Sequence, residues 1–254
     1  YFSVINFYTA PDEIMEKLKR ISFDSFEEYV KKMKTIYEKY RKLYKYSTNR
    51  KIDYEPAVLS FEELMNIASE RDKEGFDAFY KKLYDEITEK IIRNEINYPQ
   101  ATIQIMNEVL NFTGINYPLI VLGFAPPYYP ALSSRKIKGK ENKIDEYYQV
   151  IKDYSHDKLN YDITYENYTV GLSDCSYCAI DKVFDYNKFS LNTPMWGNLY
   201  FIDFESIEKL NIPSIIFGPW SKDYHQATER VNRKSLTVIL PELIDAVINY
   251  VFKN

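Results

Sequence analysis

The chain has 254 residues, of which 45% are hydrophobic and 28% charged, so a folded globular protein is expected and a disordered one is excluded. The formal net charge of −4 disfavours nucleic acid as a partner. With 7 glycines, the sequence holds neither GxxxxGK nor GxGxxG, which excludes P-loop enzymes and disfavours a dinucleotide-binding fold. Its two cysteines are typical of a cytoplasmic protein. No segment is apolar over the roughly 20 residues that a membrane span needs, so no membrane partner is expected.

The first 112 residues are predicted to form one or two strands and several charged helices. Tyr1–Tyr8 has the β-branched and aromatic content of a strand. Ser25 with Glu28, and Ser60 with Glu63, have the spacing of capping boxes, so each pair is expected to begin a helix. The Lys- and Glu-rich runs of this half are expected to be solvated helix faces.

After residue 112 the sequence predicts strands that alternate with helices, which is typical of an α/β layer. Residues 117–130 (YPLIVLGFAPPYYP) and 211–218 (NIPSIIFG) are apolar runs, typical of short strands buried in a parallel sheet. A third strand that leads into a loop is predicted within 161–174, and an amphipathic helix closes the chain from residue 235. We therefore predict an α/β fold class with a domain boundary near residue 112.

His225 is the first candidate for chemistry, because it follows a predicted strand and a Gly-Pro turn. In open α/β sheets, functional residues collect beyond the carboxyl ends of strands. On the residues alone His225 is a metal ligand, a catalytic group or a hydrogen-bonded loop residue. Asp174 follows another predicted strand, where it either caps the next helix or faces the site. His156 is expected to lie on the surface at the end of a helix.

Cys175 and Cys178 form a CxxC pair, which in other proteins is half of a zinc site or a redox dithiol. No second CxxC completes a ligand set, and the spacing also suits two thiols that pack on one helix face. Packing is the expectation. The alternative is a redox or zinc protein built on this pair.

The stretch GPWSKDYHQATERV, residues 218–231, together with the closing helix, resembles the last motif of the zinc aminoacylase and carboxypeptidase superfamily. That superfamily includes succinyl-diaminopimelate desuccinylase and glutamate carboxypeptidase. The resemblance matches Gly218 and Pro219 to the family's loop, His225 to a metal-binding histidine, and Glu229 to the acidic residue that follows it. It implies that His225 is a metal ligand and that Glu229 orients the loop.

A second motif of that superfamily, Gly-x-Ser/Thr-Asp, is similar to GLSD here, through Gly171, Ser173 and Asp174. The chain also resembles, more closely, the branch named after the arginine-utilisation protein RocB. That branch resembles it in FAPPYYP, GLSDCSY, TPMWG, LNIPSIIFGPWSKDYH and TERV, and in a charged helical insertion over residues 15–110. The substrate-side residues that these positions suggest are Gly218, Pro219, Trp220, Lys222, Ser173 and Asp174.

The resemblance implies a two-domain metallohydrolase that carries two zinc ions. Residues 1–112 would be part of an α+β lid or dimerisation domain, and residues 113–254 the C-terminal half of an exopeptidase-like α/β catalytic domain. The implied reaction is hydrolysis of amide bonds in small acylated amino acids or short peptides, as a metallopeptidase or deacylase, with a link to arginine degradation. The implied partners are that small substrate, the missing N-terminal half of the same protein and a second copy in a homodimer.

The family's other metal ligands and its Glu-Glu general base have no match here. Glu27 with Glu28 and Glu62 with Glu63 sit at capping positions, so no catalytic residue is assigned in this chain. A zinc site needs at least three protein ligands, so this chain alone is expected to hold no stoichiometric zinc. The alternative function is therefore a catalytically incomplete binding or dimerisation module.

Overall fold

The computed structural model of the protein describes residues 10–44, 54–130, 134–137, 139–167, 173–180 and 185–253. Helices predominate with a few short strands, so the predicted α/β class is confirmed. The strand predicted at Tyr1–Tyr8 lies outside the described residues. The helices are α1 (Pro11–Tyr44), α2 (Phe61–Arg71), α3 (Lys73–Ile92), α4 (Tyr98–Thr113), α5 (Lys143–Leu159), α6 (Tyr186–Leu191), α7 (Phe204–Leu210) and α8 (Leu240–Lys253). The strands are β1 (Val58–Ser60), β2 (Ile120–Leu122), β3 (Ser221–Lys222) and β4 (Arg230–Val231).

Internal contacts divide the chain into two compact units. The first comprises the described residues of Tyr1–Tyr128 and Val183–Ile202, and the second those of Tyr129–Lys182 and Asp203–Asn254. The division into a lid part and a catalytic part near residue 112 stays a prediction, because contacts alone assign no role to either unit.

Capping residues define the helices of the first unit. The Ser60 hydroxyl accepts the Glu63 N–H at 3.3 Å, and the Glu63 carboxylate accepts the Ser60 N–H at 2.7 Å, so the predicted capping box is confirmed. Asn97 and Gln100 form a second such box at the start of α4. That helix ends at Gly114, whose φ of 68° lies in the left-handed region that glycine adopts most easily.

The core of the first unit lies between α2, α3 and α4. The buried apolar side chains of these three helices pack into one cluster. Burying one Leu or Ile side chain contributes roughly 1.5–3 kcal/mol, so this cluster is the main source of the unit's stability. β1 pairs in parallel with β2, with Val58 opposite Ile120. The strand predicted within 117–130 is therefore confirmed, although it is half-buried rather than fully buried. The most deeply buried core side chains are Leu64, Ala68, Ile87, Ala101, Ile105, Val109 and Met195.

α1 is one continuous helix of 34 residues, so the prediction that Ser25 and Glu28 begin a second helix was wrong. Beyond Pro11 this segment contains neither proline nor glycine, and so nothing in its sequence interrupts the hydrogen-bond ladder. Ser25 lies in the helix interior, where its hydroxyl caps no helix start.

The second unit is built on α5 and α8, whose contact buries Ile151, Ile239 and Leu243. The predicted helix near 144–153 and the predicted C-terminal helix are both confirmed. Contrary to the expectation from the sequence, Ser235–Lys253 is long and apolar enough to cross a membrane, with a mean hydropathy of 1.5 over the most apolar part. Length and composition alone are weak evidence for a span, because core helices of folded proteins meet the same criteria.

The strand predicted at 211–218 was wrong, and the strand predicted within 161–174 is not found in the part of that range that the structure describes. Residues 211–218 form no strand, and hydrogen bonds of this segment go to side chains and loops instead. Ser134 and Ser214 exchange two of them, at 2.8 and 2.9 Å, and the Lys140 ammonium donates to the Asn211 carbonyl. Residues 161–167 form no strand either, and 168–172 lie outside the described residues.

Candidate functional site

A short hairpin presents His225. β3 and β4 are antiparallel, with Ser221 opposite Val231 and Lys222 opposite Arg230, and residues 223–229 connect them. The polar loop between two short strands puts the His225 side chain in an exposed position.

The hairpin loop has an unusual backbone. Asp223 and His225 both have a φ of 59°, in the left-handed region that disfavours residues other than glycine. Two interactions hold this conformation. The His225 N–H donates to the Glu229 carboxylate at 3.2 Å, and the Arg230 guanidinium forms an ion pair with Asp223. Glu229 therefore contacts the His225 backbone, and its role as the residue that orients a metal-binding loop stays a prediction.

Hydrogen bonds tie the base of the hairpin to the start of the C-terminal helix. The Trp220 N–H donates to the Ser235 hydroxyl at 2.9 Å, and the Trp220 carbonyl accepts the Asn232 N–H at 2.8 Å. The Asn232 side chain accepts the Ser235 N–H at 2.9 Å. Sequence reasoning identified neither Asn232 nor Ser235, although Asn232-x-x-Ser235 has the spacing of a helix cap.

The proposed substrate-side residues of the hairpin form an open surface. The Lys222 ammonium lies 5.9 Å from the centre of the Trp220 ring, within cation–π range, and Trp220 is 57% exposed. Gly218 is exposed, and open space surrounds the position that a Cβ would occupy there. Pro219, which lies between Gly218 and Trp220 in the chain, is half-buried. The arrangement presents a cation, which suits a carboxylate, beside an exposed aromatic face, which suits an apolar group.

The GLSD motif leads into a short 3₁₀ turn, Asp174–Tyr177. Its cap is Ser173, whose hydroxyl accepts the Cys175 N–H at 3.2 Å, so the interpretation of Asp174 as the cap was wrong. Asp174 is exposed, and Gly171 lies outside the described residues.

Cys175 and Cys178 are free thiols, both half-buried. They lie on a 3₁₀ turn rather than on the α-helix that the sequence suggested. The Cys178 carbonyl accepts the Ile212 N–H at 2.8 Å, which joins this turn to the segment that leads to the hairpin. Among the described residues, neither Ser173 nor Asp174 takes part in this hydrogen bond.

Across the described parts of the chain, no three His, Cys, Asp or Glu side chains lie close enough to hold a metal ion. His225 and Glu229 are adjacent, which fits at most part of a zinc site. The other histidine, His156, is in the last turn of α5 with its side chain 71% exposed, as expected. Its Nδ1 lies 3.3 Å from an Asp162 oxygen.

Two curated proteins of Bacillus subtilis (strain 168) are similar to this chain. One is described as uncharacterized protein YqjN and is 26% identical over 252 residues, which cover 99% of this chain and 44% of YqjN. The other, protein RocB, is 24% identical over 247 residues, which cover 96% of this chain and 42% of RocB. The chain thus spans less than half the length of these relatives. No family model matches the chain, and no solved structure matches it significantly. The findings place the chain as a distant relative of RocB and YqjN.

Proposed function

We propose that the chain is part of a zinc-dependent hydrolase that cleaves amide bonds in small acylated amino acids or short peptides. The observation that carries the proposal is the loop at 218–231, where Glu229 holds the backbone of His225 in a left-handed conformation. The similarity to RocB over 96% of the chain supports it. A role in arginine degradation rests on that branch alone, since no described residue selects arginine.

In this proposal His225 supplies one zinc ligand. A site needs at least three protein ligands, so the others would come from the portion of the relatives that this chain does not match. That portion would also supply the general base. Bound zinc polarises a scissile carbonyl and lowers the pKa of its water to about 7.

The residues of this chain would then bind and orient. Glu229 and the Asp223–Arg230 pair would fix the loop that carries His225. Lys222 would meet a substrate carboxylate as a point charge, with Trp220 as the adjacent wall. Because both side chains are exposed, a substrate would reach them without any rearrangement of the hairpin.

The test uses the natural translation product that contains this chain, identified by its intact mass. Hydrolysis of N-acyl amino acids and dipeptides is assayed with zinc and with a chelator. We expect His225→Ala to abolish zinc-dependent activity and His156→Ala to leave it intact. The pair is a matched control, since the sequence has two histidines and His156 is a surface residue. Full activity of His225→Ala would rule out its role as a ligand.

A second candidate is a non-catalytic binding or dimerisation module, which the lack of a three-ligand group among the described residues favours. Metal analysis of the isolated chain separates the possibilities. No stoichiometric zinc is expected if the unmatched portion is required. Tight one-to-one zinc that is lost in a Cys175→Ser, Cys178→Ser double variant would instead assign the function to the CxxC pair.

A further inference from the structure

The C-terminal part of α1 concentrates positive charge in a chain that is acidic as a whole. Residues 31–44 contain six basic residues and one acidic residue, a net charge of +5 in a protein whose formal net charge is −4. The preceding part of the helix, residues 11–30, has the opposite sign, with six acidic and three basic residues. Basic residues in the last turn suit the helix dipole, but that effect is confined to Arg41 and Lys42.

The same part of α1 carries an apolar stripe that faces outward. Tyr29, Ile36 and Leu43 are spaced by seven residues and so lie along one side of the helix. They are 53%, 49% and 77% exposed. None of residues 31–43 is buried, whereas Val30, just before them, is 3% exposed and belongs to the part of the helix that packs on the protein.

Lysines border the stripe. Lys32 and Lys39 precede Ile36 and Leu43 by four residues, which places each lysine beside an exposed apolar side chain on the helix surface. Long lysine stems cover apolar surface while the ammonium reaches outward, so charge and apolar area act on the same binding surface. We name this surface, which consists of Tyr29, Lys32, Ile36, Lys39 and Leu43, the α1 basic face.

We propose that the α1 basic face binds an anionic lipid surface, with the helix axis parallel to the bilayer. A helix with an apolar side and lysines on its polar side is the arrangement that interfacial helices use. A second copy of the chain is a poor occupant, because it would bring two +5 segments together. Five of the six basic residues are lysines. A lysine ammonium is a point charge that suits a diffuse anionic surface, whereas arginine is the residue that matches a carboxylate with two hydrogen bonds. This binding needs no membrane span, but it departs from the expectation, drawn from the sequence, that the chain has no membrane partner.

The experiment is sedimentation of the natural translation product that contains this chain with vesicles of phosphatidylcholine alone or mixed with phosphatidylglycerol. We expect binding to the anionic vesicles that falls steeply between 0.05 and 0.5 M salt, and no binding to neutral ones. Lys32→Glu with Lys39→Glu should weaken binding at least about tenfold. Each basic residue near an anionic membrane contributes roughly 1 kcal/mol of attraction, and the two glutamates add repulsion to that loss. Ile36→Ser with Leu43→Ser should weaken it by a similar factor.

Two matched variants serve as controls. Lys73→Glu with Lys81→Glu changes the net charge by the same amount as the lysine variant of α1, but at exposed positions of α3. Ile92→Ser with Ile103→Ser removes two exposed apolar side chains outside α1. Both should bind like the parent. Circular dichroism checks that every variant remains helical, and poly-glutamate is used as a competing anion.

Four outcomes overturn the proposal. These are no binding to anionic vesicles, equal binding to neutral vesicles, equal losses in the control variants, and binding to poly-glutamate without binding to vesicles. The last would point to an acidic protein as the partner.

Discussion

The backbone N–H of His225 lies 3.2 Å from Oε2 of Glu229, so the side chain of one residue in the hairpin loop fixes the backbone of the other. Both residues are exposed, and a hydrogen bond in that environment contributes about 1 kcal/mol or less. We expect Glu229→Ala to change the urea unfolding midpoint little. Under the proposed function, loss of this contact should weaken zinc binding to the natural translation product by about 10–100-fold.

Glu229→Gln is the informative comparison, because its amide oxygen keeps an acceptor for the His225 N–H. It should retain most of the zinc affinity, measured by competition with a chelator. Equal affinities in the alanine variant and the parent would show that the contact does not position His225.

Tyr84 organises the loop that follows α6, and its hydroxyl is the basis of a second prediction. It donates to the Met195 carbonyl at 2.8 Å and accepts the Leu199 N–H at 3.1 Å. Burial raises the pKa of this phenol above its usual value, so the hydroxyl stays protonated and able to donate well above neutral pH. Tyr84→Phe should therefore lower the free energy of unfolding by about 1–3 kcal/mol, because two backbone groups lose their partner.

Tyr98→Phe provides the control, since Tyr98 is 43% exposed. Urea unfolding followed by tryptophan fluorescence reports on this loop through Trp196, once Trp220, the other tryptophan of the chain, is replaced by Phe in every variant. A Tyr84 variant as stable as the Tyr98 variant would contradict the structural role of the hydroxyl.

Local signals in the sequence predicted the helices well. The Ser60–Glu63 capping box and the apolar run around Ile120 each specify structure within a few residues, and both are present. The cap expected at Ser25 failed, because a capping pattern begins a helix only where the preceding turn is not already helical.

The strand predicted at 211–218 failed for another reason. Its apolar composition is typical of a strand, but strand formation depends on a neighbour with free backbone groups, and a local sequence does not reveal one. Ser134 and Cys178, far away in sequence, take up its hydrogen bonds instead. At the candidate site, motif resemblance proposed His225 and Glu229, and these roles stay predictions, whereas the Asp223–Arg230 pair became evident only from the folded hairpin.

Glu63 gives the first unit a pH-dependent contribution to stability. Burial tends to raise the pKa of its carboxyl, but hydrogen bonds from Lys19 and from the Ser60 backbone outweigh burial and hold the pKa below the usual 4.5. A carboxyl whose pKa is lower in the folded state than in the unfolded state stabilises the fold, and this contribution is complete at pH values above the unfolded pKa. The contribution is then lost as the pH falls through the folded pKa.

Glu63→Gln tests this dependence, because glutamine keeps the capping box but carries no charge. We expect the variant to be less stable than the parent at pH 7, and the difference to shrink as the pH falls below 4.5. Urea midpoints measured from pH 7 to pH 3 give the comparison. Glu89→Gln, in an exposed pair with Arg93, should show a much smaller difference at pH 7. A difference for Glu63→Gln that stays constant with pH would exclude its charge as the cause.

Leu243 and Ile244 are neighbours on α8 with opposite environments, which provides a test of the second unit's core. Leu243 is 1% exposed and packs with Ile151 and Ile239, whereas Ile244 is 42% exposed. Leu243→Ala should cost about 2–5 kcal/mol through lost burial and a residual cavity. Ile244→Ala should change stability little, because alanine also favours the helix.

Hydrogen exchange measured by mass spectrometry is the suitable readout, because a chain of two units need not unfold in one step. In Leu243→Ala the amides of α5 and α8 should exchange faster, while those of α2 and α4 stay unchanged. Ile244→Ala should match the parent throughout the isolated chain. If Ile244→Ala instead accelerated exchange as much as Leu243→Ala, the exposed side of α8 would be covered, and the core assigned to this unit would be incomplete.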